Sequence, residues 1–400
     1  MNHFAVIAKI KSGQEDALRR ILKEVHDDPA NNPYVRLANS QLTHFLRWVI
    51  LTDEDNGPRL LLTSNYDGGV KTYVEELVAI GPGMDQIWNR CEGYSGKERF
   101  LEFVAQHWSN TQAFYVGFPD ESVQSIRRYI AIREHVEQFL DLDDVACFLG
   151  RPGIQPFLTM LSETATQRSG WRTSEALAAA TGAAVQRIWR DALLRIFLPT
   201  AYAFSQIGQT SDFVRASANC GDRPPPSREI EHRVDTVKLD DGTVQNEMTT
   251  FTTIRPGRFL RLRLALVATS ILSQFGYPPG EFADVGSLHS FSWVLVDHGK
   301  RLLFLSNFDG SWQNYMGDFV NKLVWGLDGL YNNTFGYPAA GMKDVVPFTQ
   351  YILDHQIPPD VVYRAYPRET VLNIIRDRKI ARVLTKNLEP IALEQFLKLL

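Results

Sequence analysis

The chain spells one strand and turn twice. LLLTSNYDGG, Leu60 to Gly69, returns as LLFLSNFDGS, Leu302 to Ser311, about 240 residues further on. Four more matches run in the same order around these blocks: His3–Gly13 with Glu247–Gly257, His44–Trp48 with His289–Trp293, Cys91–Tyr94 with Thr334–Tyr337, and Phe114–Val123 with Val362–Val371. The spacing between partners drifts by only a few residues, as short loop insertions would cause. A collinear series at one spacing marks a duplicated domain. Whatever residues 1–145 fold into, residues 246–400 are expected to fold into as well.

Periodicity gives each copy a coarse reading. In the first, residues 3–10 alternate as a strand, and GQEDALRRILKEV has the spacing of an amphipathic helix. THFLRWVIL and RLLLTS are two further strands around the turn-rich TDEDNGP. GGVKTYVEELVAI and KERFLEFVAQHW are helical, and QAFYVGF closes the copy as a strand. The order β-α-β-β-α-(α)-β is the split βαβ pattern of a ferredoxin-like domain. The strands are apolar on both faces, with His44, Leu46, Trp48 and Ile50 on one and Phe45, Val49 and Leu51 on the other. One face takes the helices; the other needs a second cover, and the matching face of the other copy supplies it. The expected fold class is α+β, two ferredoxin-like repeats packed face to face or closed into a barrel, with an insert between them.

The 146–245 stretch has no counterpart in either copy. Residues 146–220 are expected to form a helical insert, including a long helix over Ser174–Leu198 that contains Arg187, Arg190 and Arg195. Residues 221–245 open with GDRPPPSREIEHR and read as a proline-rich linker. Copy two also differs in its first helix, RFLRLRLALVATSILSQF, which is far more apolar than its partner in copy one. Either the Ser174 helix covers it, or both helices rest on a membrane surface. Arg258, Arg261 and Arg263 suit anionic headgroups, as do Arg187, Arg190 and Arg195, and basic residues at a helix start oppose its dipole.

Composition limits the function classes. With 44% hydrophobic and 22% charged residues the chain is globular, and a net charge of −4 gives no reason to expect nucleic acid as a partner. Cys91, Cys147 and Cys220 are far apart and in no metal-ligand spacing, which fits a reducing compartment. MNHFAVIAKIKSG alternates as a strand does, so no signal peptide is expected; no apolar run is long and uncharged enough to predict a transmembrane helix. The expected location is cytoplasmic, with peripheral membrane contact as the variant.

Four of the nine histidines form repeat-related pairs, His44 with His289 and His107 with His355. The first pair opens the second strand of each copy, and the second pair lies eight residues before the tyrosine of each last strand. Each has two accounts: a hydrogen-bonded structural residue, or a lone histidine offered to a haem iron. Asp67 and Asp309 likewise either accept hydrogen bonds from free amides at a helix start, with the following glycine taking a strained angle, or project between the sheets. No nucleophile elbow, zinc-protease helix, P-loop or dinucleotide fingerprint is present.

HFLRW…RLLLTSNYDG and LHSFSWVLV…RLLFLSNFDGSWQNYMGDFVNK, with AFYVGF and VVYRAYP closing the copies, resemble a bacterial family of tandem ferredoxin-like repeats of the dimeric α/β-barrel kind. The resemblance covers both copies and leaves the insert aside. It implies an intrachain pseudo-dimeric barrel. Its superfamily includes dye-decolorising peroxidases and chlorite dismutases, which hold haem against one sheet. The Gly-x-x-Asp-Gly fingerprint of those peroxidases corresponds to Ser64–Gly68 and Ser306–Gly310, with Ser in place of the first Gly and the motif present in both copies. Two readings follow. In one, the chain is a pseudo-symmetric binding or scaffolding protein with a small apolar ligand between its sheets. In the other it is a haem-dependent oxidoreductase with Asp309, or its equivalent Asp67, as acid/base and His355 or His289 as the iron ligand; His44 and His107 are their counterparts.

Overall fold

The computed structural model describes residues 1–53, 55–140, 244–277 and 280–384. The expected helix at Ser174–Leu198, its Arg187, Arg190 and Arg195, and nearly all of the expected linker lie outside the described residues. Within them the chain is mixed α+β, with two antiparallel sheets and helices packed on them.

Copy one runs β1 (Asn2–Lys9), α1 (Glu15–Asp27), β2 (Thr43–Asp53), β3 (Gly57–Tyr66), α2 (Val70–Ile80), α3 (Met84–Trp88), α4 (Phe100–Gln106), β4 (Trp108–Ser109), β5 (Thr111–Val116) and α5 (Val123–Leu140). Copy two repeats the series: β6 (Gln245–Thr253), α6 (Phe259–Ile271), β7 (Leu288–Val296), β8 (Arg301–Asp309), α7 (Trp312–Lys322), α8 (Val324–Tyr331), α9 (Val345–His355), β9 (Val361–Arg364) and α10 (Val371–Leu384). The closing helices α5 and α10 were not part of the expected pattern. They pack on each other, and Arg133 of α5 bonds Glu369, just ahead of α10, and Asp377 within it, at 2.9 Å each.

Local chemistry sets the elements. In α1, Leu18, Ile21, Leu22 and Val25 fall on one face at helical spacing and are buried. The β2–β3 hairpin turns where the Asp53 carboxylate accepts the amides of Asp55 and Asn56, and Gly57 takes a φ of +67°.

The sheets are ordered β4-β1-β3-β2-β9 and β5-β7-β8-β6. The last strand of each copy therefore pairs with the other copy: β9 lies against β2 (Trp48 opposite Val361) and β5 against β7 (Ala113 opposite Trp293). Each last strand begins on its own sheet, at Val6–Trp108 in copy one and at the single Thr250–Gln356 bridge in copy two, then crosses over. This exchange was not expected from the sequence.

Each sheet has two apolar faces. Phe4, Val6, Trp48, Ile50 and Leu62 pack against Leu18, Leu22, Tyr73, Trp88 and Phe103 of the helices, and Trp293, Phe304 and Phe308 pack likewise in copy two. The opposite faces meet: Ala5, Val49, Leu51 and Leu61 pack against Phe251, Val294, Val296, Leu303 and Leu305. Burying each large aliphatic side chain there contributes about 1.5–3 kcal/mol, so the inner layer holds the copies together.

Candidate functional site

His44 and His289 occupy the same irregularity in both copies. The register of β2 on β3 shifts between Thr43 and Phe45, and that of β7 on β8 between Leu288 and Ser290. Each histidine is the extra residue of a β-bulge, which turns its side chain away from the strand's alternation. The expectation that they share a face with Trp48 and Trp293 is corrected. Both rings instead gather with Phe45, Phe118 and Tyr366, where the two copies and their closing helices converge.

The aspartates sit there too. The His44 Nε2–H donates to Asp67 at 2.8 Å, and that of His289 to Asp309 at 2.6 Å. The second oxygen of each carboxylate accepts the first amide of the copy's closing helix, Val123 at 2.7 Å and Val371 at 2.8 Å. The duplicated aspartates thus cap helices, as one sequence account held, but cap α5 and α10 rather than the helix after the turn. Gly68 and Gly310 follow at φ of +76° and +78°, where a side chain would be strained.

The two halves differ at one atom. His44 Nδ1 accepts the Tyr366 hydroxyl at 2.8 Å. The residue matching Tyr366 in copy one is Phe118, so the buried Nδ1 of His289 has no donor. Burial holds the His44 imidazole below its ordinary value against the pull of Asp67, and burial raises the Tyr366 phenol, so the chain Tyr–His–Asp is neutral, neutral and ionised. His44 and His289 are both 0% exposed, and the hydrogen bonds of each ring hold the aspartate that caps the closing helix of its copy. Phe118→Tyr is expected to supply the missing donor and add about 1 kcal/mol of stability, and Tyr366→Phe to remove about as much, both read from urea unfolding.

A polar cluster lies next to this joint, between the sheets. Sequence reasoning missed it, although an arginine inside the apolar HFLRWVIL was its signal. Arg47 of copy one reaches into copy two, where its guanidinium donates to Met248 O (3.0 Å), Thr249 Oγ1 (2.9 Å), Ser306 O (2.8 Å) and Asn307 Oδ1 (2.6 Å). The asparagines of the repeated motif meet, Asn307 Nδ2 donating to Asn65 Oδ1 at 3.2 Å. His3 is bonded through both ring nitrogens to Thr63 and Thr111 at 2.8 Å, and burial, helped by Arg47, lowers it to about 3.

His107 and His355 lie elsewhere. Each donates Nδ1–H to the carbonyl one turn back, Phe103 at 2.9 Å and Tyr351 at 2.8 Å, at the end of its helix. Their rings stand against Gly93 and Gly336, within 3.5 Å of where a Cβ would be. Arg258, Arg261 and Arg263 lie on or beside α6 and are half-buried.

The bulge histidines and the space beside them do not fit a haem. The cavity beside Arg47 is about 10 Å3, lined by His3, Phe45, Leu46, Arg47, Thr63, Asn65, Ser292, Leu305 and Asn307. That is room for roughly one water, and both bulge histidines already bind aspartate through Nε2. Among the described residues no three acidic, histidine or cysteine side chains are grouped to hold a metal.

Compared with known proteins, the chain matches no family model and has no significant match to a curated protein or to a solved structure.

Proposed function

We propose that the chain is a non-catalytic scaffold of two ferredoxin-like repeats, joined as a pseudo-dimeric α/β barrel, that docks on an anionic membrane surface through α6. The order β4-β1-β3-β2 within copy one supports the ferredoxin-like reading. Exchange of the closing strands supports the barrel, since each crossing strand bridges the two sheets.

The observation that carries the functional part is a difference between the copies. In a duplicated protein, residues that serve the fold recur in both halves, while a feature of one half alone is free to serve something else. With Gly13 aligned on Gly257, the inward Leu18 and Leu22 of α1 match the inward Leu262 and Leu266 of α6. The outward residues do not match. Asp16, Arg20 and Lys23 in α1 become Leu260, Leu264 and Val267, which are 71%, 53% and 50% exposed. These three stand one turn apart as a single apolar row. Phe259–Gly276 is also, among the described residues, the one helix long and apolar enough by length and composition to cross a membrane, where the sequence led to none being expected. Arg258, Arg261 and Arg263 beside the row supply the positive charge that anionic headgroups attract, and a row this narrow with arginines beside it suits lying in the interface rather than crossing it. The proposed binding surface is this outer face, because the inner faces of the two sheets pack directly on each other.

Flotation of the full chain with vesicles tests this. It is expected to rise with phosphatidylserine vesicles, to stay down with neutral ones, and to lose at least about tenfold in partitioning in Leu260→Glu/Leu264→Glu, since two buried leucines carry about that much transfer energy. A wild-type chain that stays down with anionic vesicles would reject the reading. The 174–198 segment as the row's cover would then be the better account.

A further inference from the structure

We propose that the cavity between Arg47 and Asn65 binds one small monovalent anion of halide type. Three observations meet there. The first is a buried charge whose nearest counter-charge is already paired with another arginine. Arg47 is 3% exposed, and all four bonds of its guanidinium run to neutral acceptors, two carbonyls, a hydroxyl and an amide. The nearest ionised pair, Glu247 with Arg364, is closed on itself by a direct bond between its members, so the cluster of Arg47, Arg364 and Glu247 keeps one net positive charge. Neutral hydrogen bonds orient a buried guanidinium but do not cancel its charge, and an unbalanced charge away from water is costly.

The second observation is an amide donor without an acceptor. Asn65 is 5% exposed. Its Oδ1 receives Asn307 Nδ2 at 3.2 Å and Ser290 Oγ at 3.4 Å, which fixes the amide's orientation, and its Nδ2 has no partner. The third is the space itself, bounded by both residues and by His3, whose ring nitrogens are already bonded to threonines.

Each alternative occupant fails on one of these points. A cation meets the arginine's repulsion. A carboxylate or phosphate is too large for a cavity of about 10 Å3. A water accepts from Asn65 but leaves the charge unbalanced. A halide-sized anion accepts the Asn65 N–H and balances Arg47 together. Copy two has no such site: Ser292 stands where copy one has Arg47, and Asn307 Oδ1 is held by that arginine. The site is single, and it lies between the two copies, so the anion would tie them together.

Thermal unfolding of the full chain in sodium bromide, compared with sodium gluconate at equal ionic strength, tests this. The melting temperature is expected to rise with bromide and to saturate. Asn65→Asp places a carboxylate where the anion sits. It should melt in gluconate as the wild type does in bromide, and its bromide affinity should fall at least about tenfold. Arg47→Met should lose the bromide response as well, and where it does not fold, Asn65→Asp decides alone. Crystals grown in bromide should show an anomalous peak between Arg47 and Asn65. A water with no anomalous signal there, a wild-type melting curve indifferent to bromide, or an unchanged bromide response in Asn65→Asp would each overturn the proposal.

Discussion

Arg47→Ala is expected to destabilise the chain by about 3–5 kcal/mol, the largest loss anticipated for a single polar residue. The guanidinium starts on β2 of copy one and ends among β6 and β8 of copy two, so it joins the copies directly. Truncation leaves Asn307 Oδ1 and Thr249 Oγ1 short of a donor and opens a void in a closely packed layer, and each effect costs on the order of 1–3 kcal/mol. Arg47→Met keeps most of the volume and removes the charge. It should cost less than half as much, which separates loss of packing from loss of the hydrogen bonds. Urea unfolding at neutral pH, with midpoint and slope compared, gives both numbers. Equal losses for alanine and methionine would show that the bonds to copy two dominate.

Asp67→Ala is expected to cost about 2–4 kcal/mol at pH 7. Removing the carboxylate takes the cap from Val123, worth about 1 kcal/mol. It also leaves the buried His44 Nε2–H without an acceptor, worth about 1–3 kcal/mol. The loss should depend on acid in a defined direction. Burial works to raise the Asp67 carboxyl, but the His44 and Val123 N–H groups outweigh it and hold the group below its ordinary value near 3.8. A carboxylate whose pKa is lowered by folding stabilises fully above the unfolded value and loses that contribution as pH falls through the folded one. The gap between wild type and Asp67→Ala should therefore be constant from pH 7 to about 5 and shrink below about pH 4. Asp309→Ala removes the same two bonds in copy two and should cost a similar amount at pH 7. A negligible cost in both would mean that neither cap nor histidine depends on the carboxylate.

The repeated Ser-Asn-aromatic-Asp-Gly block shows how much of the site was legible. The pairing of His44 with His289 and of Asp67 with Asp309 could be read from spacing alone; that the aspartates accept a helix-start amide was one of two sequence accounts, but the helices they cap, α5 and α10, could not be read. That the histidines bond to those aspartates could not. A β-bulge depends on how one strand registers against another, and nothing in THFLRWVIL or LHSFSWVLV reveals it. The polar cluster was hidden for a similar reason. Arg47 is in sequence an arginine in an apolar strand, and it becomes a cross-link only because copy two places acceptors opposite it. The apolar face of α6 was fully legible, since helical spacing assigns inside and outside without reference to anything distant.

The sequence by itself determined that one unit occurs twice, which residues alternate as strands and which wind as helices, and that both strand faces are apolar. Those are properties of neighbours along the chain, governed by local sterics and by the period of each element. Only the tertiary structure decided that the closing strands are exchanged, with β5 on copy two and β9 on copy one. Backbone hydrogen bonds are alike for any strand, so pairing partners are chosen by the packing of whole faces, and two similar copies offer each other nearly equivalent edges. The same geometry brought Asn65 to Asn307 and gave His44 a tyrosine while leaving His289 against Phe118.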